Sequence, residues 1–217
     1  MRPPRIPPMV RDLVQTSLSS FDGIEFTGLS RCPRCGGAVQ GYDTRQKKFA
    51  VLREHDQECT ITVRVKRFTC KTCSSLCYAD EPFYPGTRIG SPVVDIFFTL
   101  STTMPASRAA RVIDALGIVV DRTTWRNYAG RNFGDIPTAD VFGMRLPFSL
   151  LSLSTLAARI LEGGRIPGAE ALAACGFPSA QGACPDRPPA AEKGRKRDEE
   201  EDEEERQAQV PEEYGDR

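Results

Sequence analysis

The chain has 217 residues, with 29 Lys+Arg balanced by 29 Asp+Glu, 8 cysteines and one histidine, a length that holds one medium domain or two small ones. The zero net charge conceals an asymmetry: residues 184–217 carry 7 Lys/Arg against 13 Asp/Glu, which leaves 22 against 16 for residues 1–183, a body of +6 and a tail of −6. Met1-Arg-Pro-Pro-Arg-Ile-Pro-Pro has no apolar h-region, and residues 146–158, the most apolar stretch, are short and interrupted by Ser149, Ser152 and Ser154. Neither a secretory signal nor a membrane span is therefore expected, and a reducing, cytoplasmic setting is the default.

Residues 1–30 open with four prolines in eight positions and continue with weak periodicity. Arg11-Asp12-Leu13-Val14 can begin a short helix, but the segment reads as an N-terminal extension.

Residues 31–83 form the first dense block, bracketed by Cys32-Pro33-Arg34-Cys35 and Cys70-Lys71-Thr72-Cys73. Two such pairs around a strand-rich insert are how a chain wraps one tetrahedral zinc ion with no open coordination position, which makes the ion structural rather than catalytic. A redox reading needs only one pair, at a helix N-terminus in a βαβ setting, and neither pair has that context. The expected ligands are Cys32, Cys35, Cys70 and Cys73. Cys77, within eight residues of Cys70 and Cys73, reads as a small buried hydrophobe, with replacement of one of the four ligands as the alternative, and His55 with Cys59 sits near the expected hairpin tip, away from the knuckles. Gly36-Gly37 supplies the φ > 0 backbone of a tight turn. Residues 48–53 are one strand and residues 60–69 a better one, where Ile61, Val63 and Val65 alternate with Thr62, Arg64 and Lys66. Phe49, Val51, Ile61, Val63 and Val65 contribute about 2 kcal/mol each when buried. Ordering some fifty residues costs on the order of 1.5 kcal/mol each. A structural zinc site supplies roughly 10–16 kcal/mol, and without the ion the block is expected not to fold.

From residue 91 the period becomes helical. Ser91 is the expected N-cap, with Pro92 at the first helical position. Val93, Ile96, Phe97 and Leu100 make one apolar stripe. Ser107 is expected to cap a second helix carrying Ala109, Val112, Ile113 and Leu116, ended by Gly117. Asp121 caps a third, residues 122–129. Three short helices over residues 91–131 make the pattern of a helix-turn-helix. In the third helix Trp125, Tyr128 and Ala129 are assigned to packing. Arg122, Thr124, Arg126 and Asn127 point outward, with Arg131 just beyond. These side chains suit base edges and phosphates of double-stranded DNA, and Arg64, Lys66 and Arg67 are the expected backbone contacts on the strands. Bound to DNA, the protein would be nucleoid-associated.

Residues 146–177 read as an Ala- and Leu-rich helical hairpin closed by Gly163-Gly164, packed on the preceding domain or on a second copy in a homodimer. Residues 184–217, with a basic cluster and an unbroken acidic run, read as a disordered tail that can compete with DNA for the basic body. The fold expected from these parts is α+β: a small antiparallel zinc ribbon, an all-α helix-turn-helix region, a helical hairpin and the tail.

The order Cys32-Pro-Arg-Cys-Gly36, Val65-Lys-Arg-Phe-Thr-Cys-Lys-Thr-Cys73, Glu81-Pro-Phe-Tyr84, Ser107-Arg-Ala-Ala-Arg-Val-Ile-Asp-Ala-Leu-Gly117 and Asp121-Arg-Thr-Thr-Trp-Arg126 resembles the N-terminal zinc-ribbon and helix-turn-helix region of prokaryotic, especially archaeal, insertion-sequence transposases. The resemblance spans residues 31–131 and implies binding to a transposon end. In that family an RNase H-like domain with three acidic residues follows. Beyond residue 131 this chain has too few residues of the right pattern for such a domain, and Asp135 and Asp140 lie in a loop-like stretch with no strand around them. The expectation is a non-enzymatic, sequence-specific DNA-binding protein, transposase-related or a transcriptional regulator. Its rival is a protein–protein adaptor built on the ribbon, with residues 146–177 as the docking surface.

Overall fold

The structure, a computed structural model, describes residues 6–54, 57–161 and 165–176. His55, Gly163-Gly164 and the charged tail lie outside the described residues. The architecture is mixed α and β, with elements in the order α1 (Pro8–Ser19), β1 (Glu25–Phe26), β2 (Val39–Glu54), β3 (Gln57–Cys70), β4 (Leu76–Tyr78), α2 (Ser91–Ser101), α3 (Ala106–Ala115), α4 (Arg122–Ala129), β5 (Thr138–Val141), β6 (Met144–Pro147), α5 (Phe148–Leu161) and α6 (Gly168–Ala174).

The long β2–β3 hairpin is the frame. Its antiparallel ladder runs from Val39 opposite Cys70 to Glu54 opposite Gln57. On the other side of β3 lie β1, parallel, opposite Arg64 and Val65, and β4, antiparallel, opposite residues 67–69. The alternation read in β3 holds: Ile61, Val63 and Val65 are buried while Arg64 is exposed. In β2 the alternation breaks, because a register shift between Lys48 and Ala50 makes Phe49 an extra residue. Such a bulge turns two consecutive side chains toward one side. Phe49 and Ala50 are both buried, and Leu52 takes the inward position expected of Val51.

Residues 1–30 are not merely an extension. Val10, Val14, Leu18 and Phe21 are fully buried, Phe21 stacks on Phe49 with ring centroids 4.3 Å apart, and β1 completes the sheet edge. One continuous core joins these residues to Phe49, Leu52, Ile61, Val63 and Val65 of the hairpin and to side chains of α2, α3, α4, α5 and α6. Residues 31–83 therefore do not stand alone: their apolar side chains share a core with α1 and α2, and this added burial removes the ground for making metal a condition for folding the whole block. Cys32, Cys70 and Cys77 form a separate small cluster.

Two helix starts differ in detail from the sequence expectation. Gly90 and Pro105, not Ser91 and Ser107, occupy the N-cap positions of α2 and α3, and neither makes a side-chain cap bond. At α4 the expected cap is present: Asp121 accepts a hydrogen bond from the Thr123 amide at 3.0 Å. Gly117 has φ +84, a backbone conformation that favours glycine, and a Cβ there would displace the Gln15 amide. α2 is buried almost all round rather than on one stripe, since it packs against α3, α5 and β6. Between α3 and α4 the chain is stitched to β2: the Arg53 amide donates to the Gly117 carbonyl at 2.7 Å and the Val119 amide to the Val51 carbonyl at 2.8 Å.

Asp140 does lie in a strand, contrary to the sequence reading. β5 and β6 pair through a two-residue turn, Phe142-Gly143, with φ 49 and 77. That is the backbone of a primed hairpin turn, without the Asn-Gly that usually announces one. Much of the apolar surface of residues 146–177 is used within the chain, although Phe148 is exposed. Leu146, Leu150 and Leu153 are fully buried, and α5 packs chiefly on α1. Among the described residues no helix is long and apolar enough to cross a membrane.

Candidate functional site

The β2–β3 ladder brings the two Cys-x-x-Cys segments together by closing Val39 onto Cys70. Each segment is a knuckle of the same construction. In the first, the Cys32 amide donates to the Gly37 carbonyl at 3.0 Å and the Gly36 amide returns to the Cys32 carbonyl at 2.9 Å. In the second, the Cys70 amide donates to the Ser75 carbonyl at 2.9 Å and the Ser74 amide returns to the Cys70 carbonyl at 3.0 Å. The turning residues, Gly36 and Ser74, have φ 72 and 54. Gly37 is needed for space instead, since a Cβ there would collide with Thr72 and crowd the Cys70 sulfur. Its missing side chain lets one knuckle approach the other.

The four sulfurs of Cys32, Cys35, Cys70 and Cys73 all lie within 4.8 Å of one another. Cys32 and Cys73 are 3.8 Å apart, Cys35 and Cys70 3.5 Å. A tetrahedron with metal–sulfur bonds of about 2.3 Å has edges of about 3.8 Å, so these residues can hold one metal ion. Second-layer contacts suit bound thiolates. The Thr72 amide donates to Cys70 Sγ at 3.4 Å. Arg34 Nη1 donates to the Ser75 hydroxyl at 3.3 Å, and that hydroxyl lies 3.3 Å from Cys73 Sγ. The Ser75 side chain and backbone pull the Cys73 thiol down to about 6, toward the form that binds metal. Neither Arg34 nor Ser75 stood out in the sequence, because their role depends on one knuckle facing the other.

Cys77 is buried, as expected of a small hydrophobe, but its sulfur is 3.6 Å from Cys32 Sγ. Burial, with Cys32 adding, pushes its thiol up to about 11. Cys59 is exposed and pairs with Leu52 at the opposite end of the ladder, away from the four sulfurs.

The basic residues expected to meet DNA fall into two groups. On α4, Arg122, Arg126 and Asn127 are exposed, and Thr124 is half-buried. Trp125 and Tyr128 are buried, but Ala129 is exposed rather than packed, since it follows the last inward position of the helix. Trp125 stacks on Phe97 of α2, and the Tyr128 hydroxyl accepts from the Arg88 amide at 2.8 Å. The other basic residues are more engaged. Arg131 Nη1 donates to the carbonyls of Pro85 and Gly86, at 3.3 and 2.9 Å, and its guanidinium lies over the Tyr128 ring. Arg67 forks onto Asp43 through bonds of 2.6 and 2.5 Å, and the same guanidinium holds the Asp43 carboxyl below its usual range. Arg64 meets Glu25 at 3.2 Å, and Lys66 lies over the Phe68 ring. Arg67 and Arg131 thus serve the fold first, which their position in the sequence did not reveal.

Comparison of the chain with protein-family profiles, with curated proteins and with solved structures returns no match.

Proposed function

We propose that the chain is a sequence-specific double-stranded DNA-binding protein, of transposase-related or transcription-regulating type, whose knuckle end is held by zinc. The observation that carries this reading is α4. One face is anchored by Trp125 and Tyr128, and the opposite face presents Arg122, Arg126 and Asn127 to solvent. Arg forks onto guanine O6 and N7, and Asn pairs with adenine N6 and N7. The +6 body supplies the background attraction to phosphate. Four thiolates and no water position suit zinc in a structural role, and when bound the ion clamps the two knuckles at one end of the hairpin. The short link from α3 to α4 is fastened to β2 just before the presenting helix begins.

The test is a selection of duplexes from a randomised library, followed by titration of the enriched and of random duplexes of equal length. Arg126→Ala is expected to weaken the enriched duplex by about 1–3 kcal/mol and to leave random duplex nearly unchanged. Equal losses on both would remove the base-reading role.

The rival reading is a protein-docking module. It is favoured by apolar side chains exposed near the start of β2, in the β5–β6 turn and at the start of α5, Tyr42 at 66 %, Phe142 at 59 % and Phe148 at 51 %. A salt titration separates the two. Duplex binding that falls steeply with log[salt] supports the first, and no duplex binding at any salt supports the second.

A further inference from the structure

The metal site has five cysteines around it, not four. Cys77 comes from β4, opposite Phe68 of β3, and its sulfur lies 3.6 Å from Cys32 Sγ, within the edge length of a four-thiolate tetrahedron. It shares a buried cluster with Cys32 and Cys70, against which Cys73, Leu29 and Val39 pack. Cys35 has no place in that cluster and is exposed. One ligand residue is thus exposed, while a further thiol lies against Cys32 in the buried cluster that also holds Cys70.

We propose that Cys77 is a reserve ligand: when Cys35 leaves the metal, the ion moves inward and is held by Cys32, Cys70, Cys73 and Cys77. The exchange breaks one metal–sulfur bond and forms another. The Cys77 thiol gives up its proton to solvent as the departing Cys35 thiolate takes one, so no oxidant or reductant is needed. The consequence is a site that keeps its ion when its exposed ligand is alkylated or otherwise blocked. The inference rests on the metal reading above and not on the DNA reading.

The test uses the full chain loaded with Co(II), and separately with zinc, as wild type, Cys35→Ser, Cys77→Ser and the double variant. Thiolate-to-cobalt absorption per bound ion and the sulfur coordination number from X-ray absorption are measured. Wild type and Cys77→Ser are expected to show four sulfurs. Cys35→Ser is expected to show four as well, and only the double variant should fall to three, with roughly one quarter of the charge-transfer intensity lost. Three sulfurs in Cys35→Ser would overturn the reserve role. So would a missing sulfur in Cys77→Ser, which would make Cys77 a resident ligand. A wild-type chain that takes up neither ion would overturn the metal reading itself.

Discussion

Trp125 and Phe97 stack with ring centroids 4.2 Å apart and planes 4° from parallel, joining α4 to the buried helix α2. This contact sets the rotation of α4 about its own axis, and with it the direction in which Arg122 and Arg126 point. Truncating a buried Trp costs about 3–5 kcal/mol, so Trp125→Ala is expected to lower the denaturant midpoint sharply. Trp125→Phe, which keeps a stacking ring, should retain most of the stability. If duplex binding comes from α4, the Phe variant should bind as wild type does, and the comparison is made by anisotropy on folded protein.

Removing a metal ion held by Cys32, Cys35, Cys70 and Cys73 is expected to be a local event. The side chains of Phe49, Leu52, Ile61, Val63 and Val65 belong to a core that also contains α1 and α2, whereas the cysteine cluster is separate. Chelation should abolish amide-exchange protection over residues 32–37 and 70–77 and leave protection in the middle of β3 and in α2. Cooperative unfolding of the entire chain on chelation would contradict this.

Asp95 introduces a pH dependence. It is 3 % exposed on α2 and accepts hydrogen bonds from the Tyr84 hydroxyl at 2.6 Å and the Ser149 hydroxyl at 2.7 Å. Burial raises its carboxyl to about 6, against the opposing pull of those two donors. In the unfolded chain an Asp titrates near about 4. The folded state therefore holds the proton more tightly, so the group's contribution to stability is fully present below about pH 4 and is lost as pH rises through about 6. Relative to Asp95→Asn, wild type should lose up to about 3 kcal/mol between pH 4 and pH 7. Urea melts of both proteins across that range give the difference, and parallel curves would show that Asp95 does not titrate there.

Lys47 and Glu81 form an ion pair of 2.8 Å, each side chain about a quarter exposed or less (26 % and 21 %). The ammonium also sits 4.5 Å above the Phe83 ring. Burial pushes the Glu81 carboxyl up, and Lys47 offsets that. Lys47→Met removes the ammonium that offsets the burial of the carboxylate, at a cost of about 1–3 kcal/mol. Adding Glu81→Gln should recover part of the loss, because the buried charge that Lys47 offsets is then gone. Additive losses in the double variant would show that the pair is not coupled.

Some of the architecture could be read from residues in a row. The alternation Ile61, Val63, Val65 announced a half-buried strand, and Asp121 announced the start of α4. Both are signals with a period or spacing of a few residues, set by local geometry. Asp95 had no such signal. In a stripe of Val93, Ile96, Phe97 and Leu100 it falls on the outward side, yet α5 and β6 cover that side as well. α1 was equally hidden, since its apolar positions gain meaning only once α5 lies against them.

The two Cys-x-x-Cys pairs, by themselves, determined that four thiols would meet, because that spacing turns both sulfurs of each pair to one point and a hairpin can close one pair onto the other. Only the tertiary structure decided what surrounds that meeting. It placed Cys77 behind Cys32, tied Arg67 to Asp43 and Arg131 to the loop at Pro85, and gave the hairpin a core shared with α1. Those outcomes depend on contacts between residues far apart in the chain, and no local period or spacing encodes them.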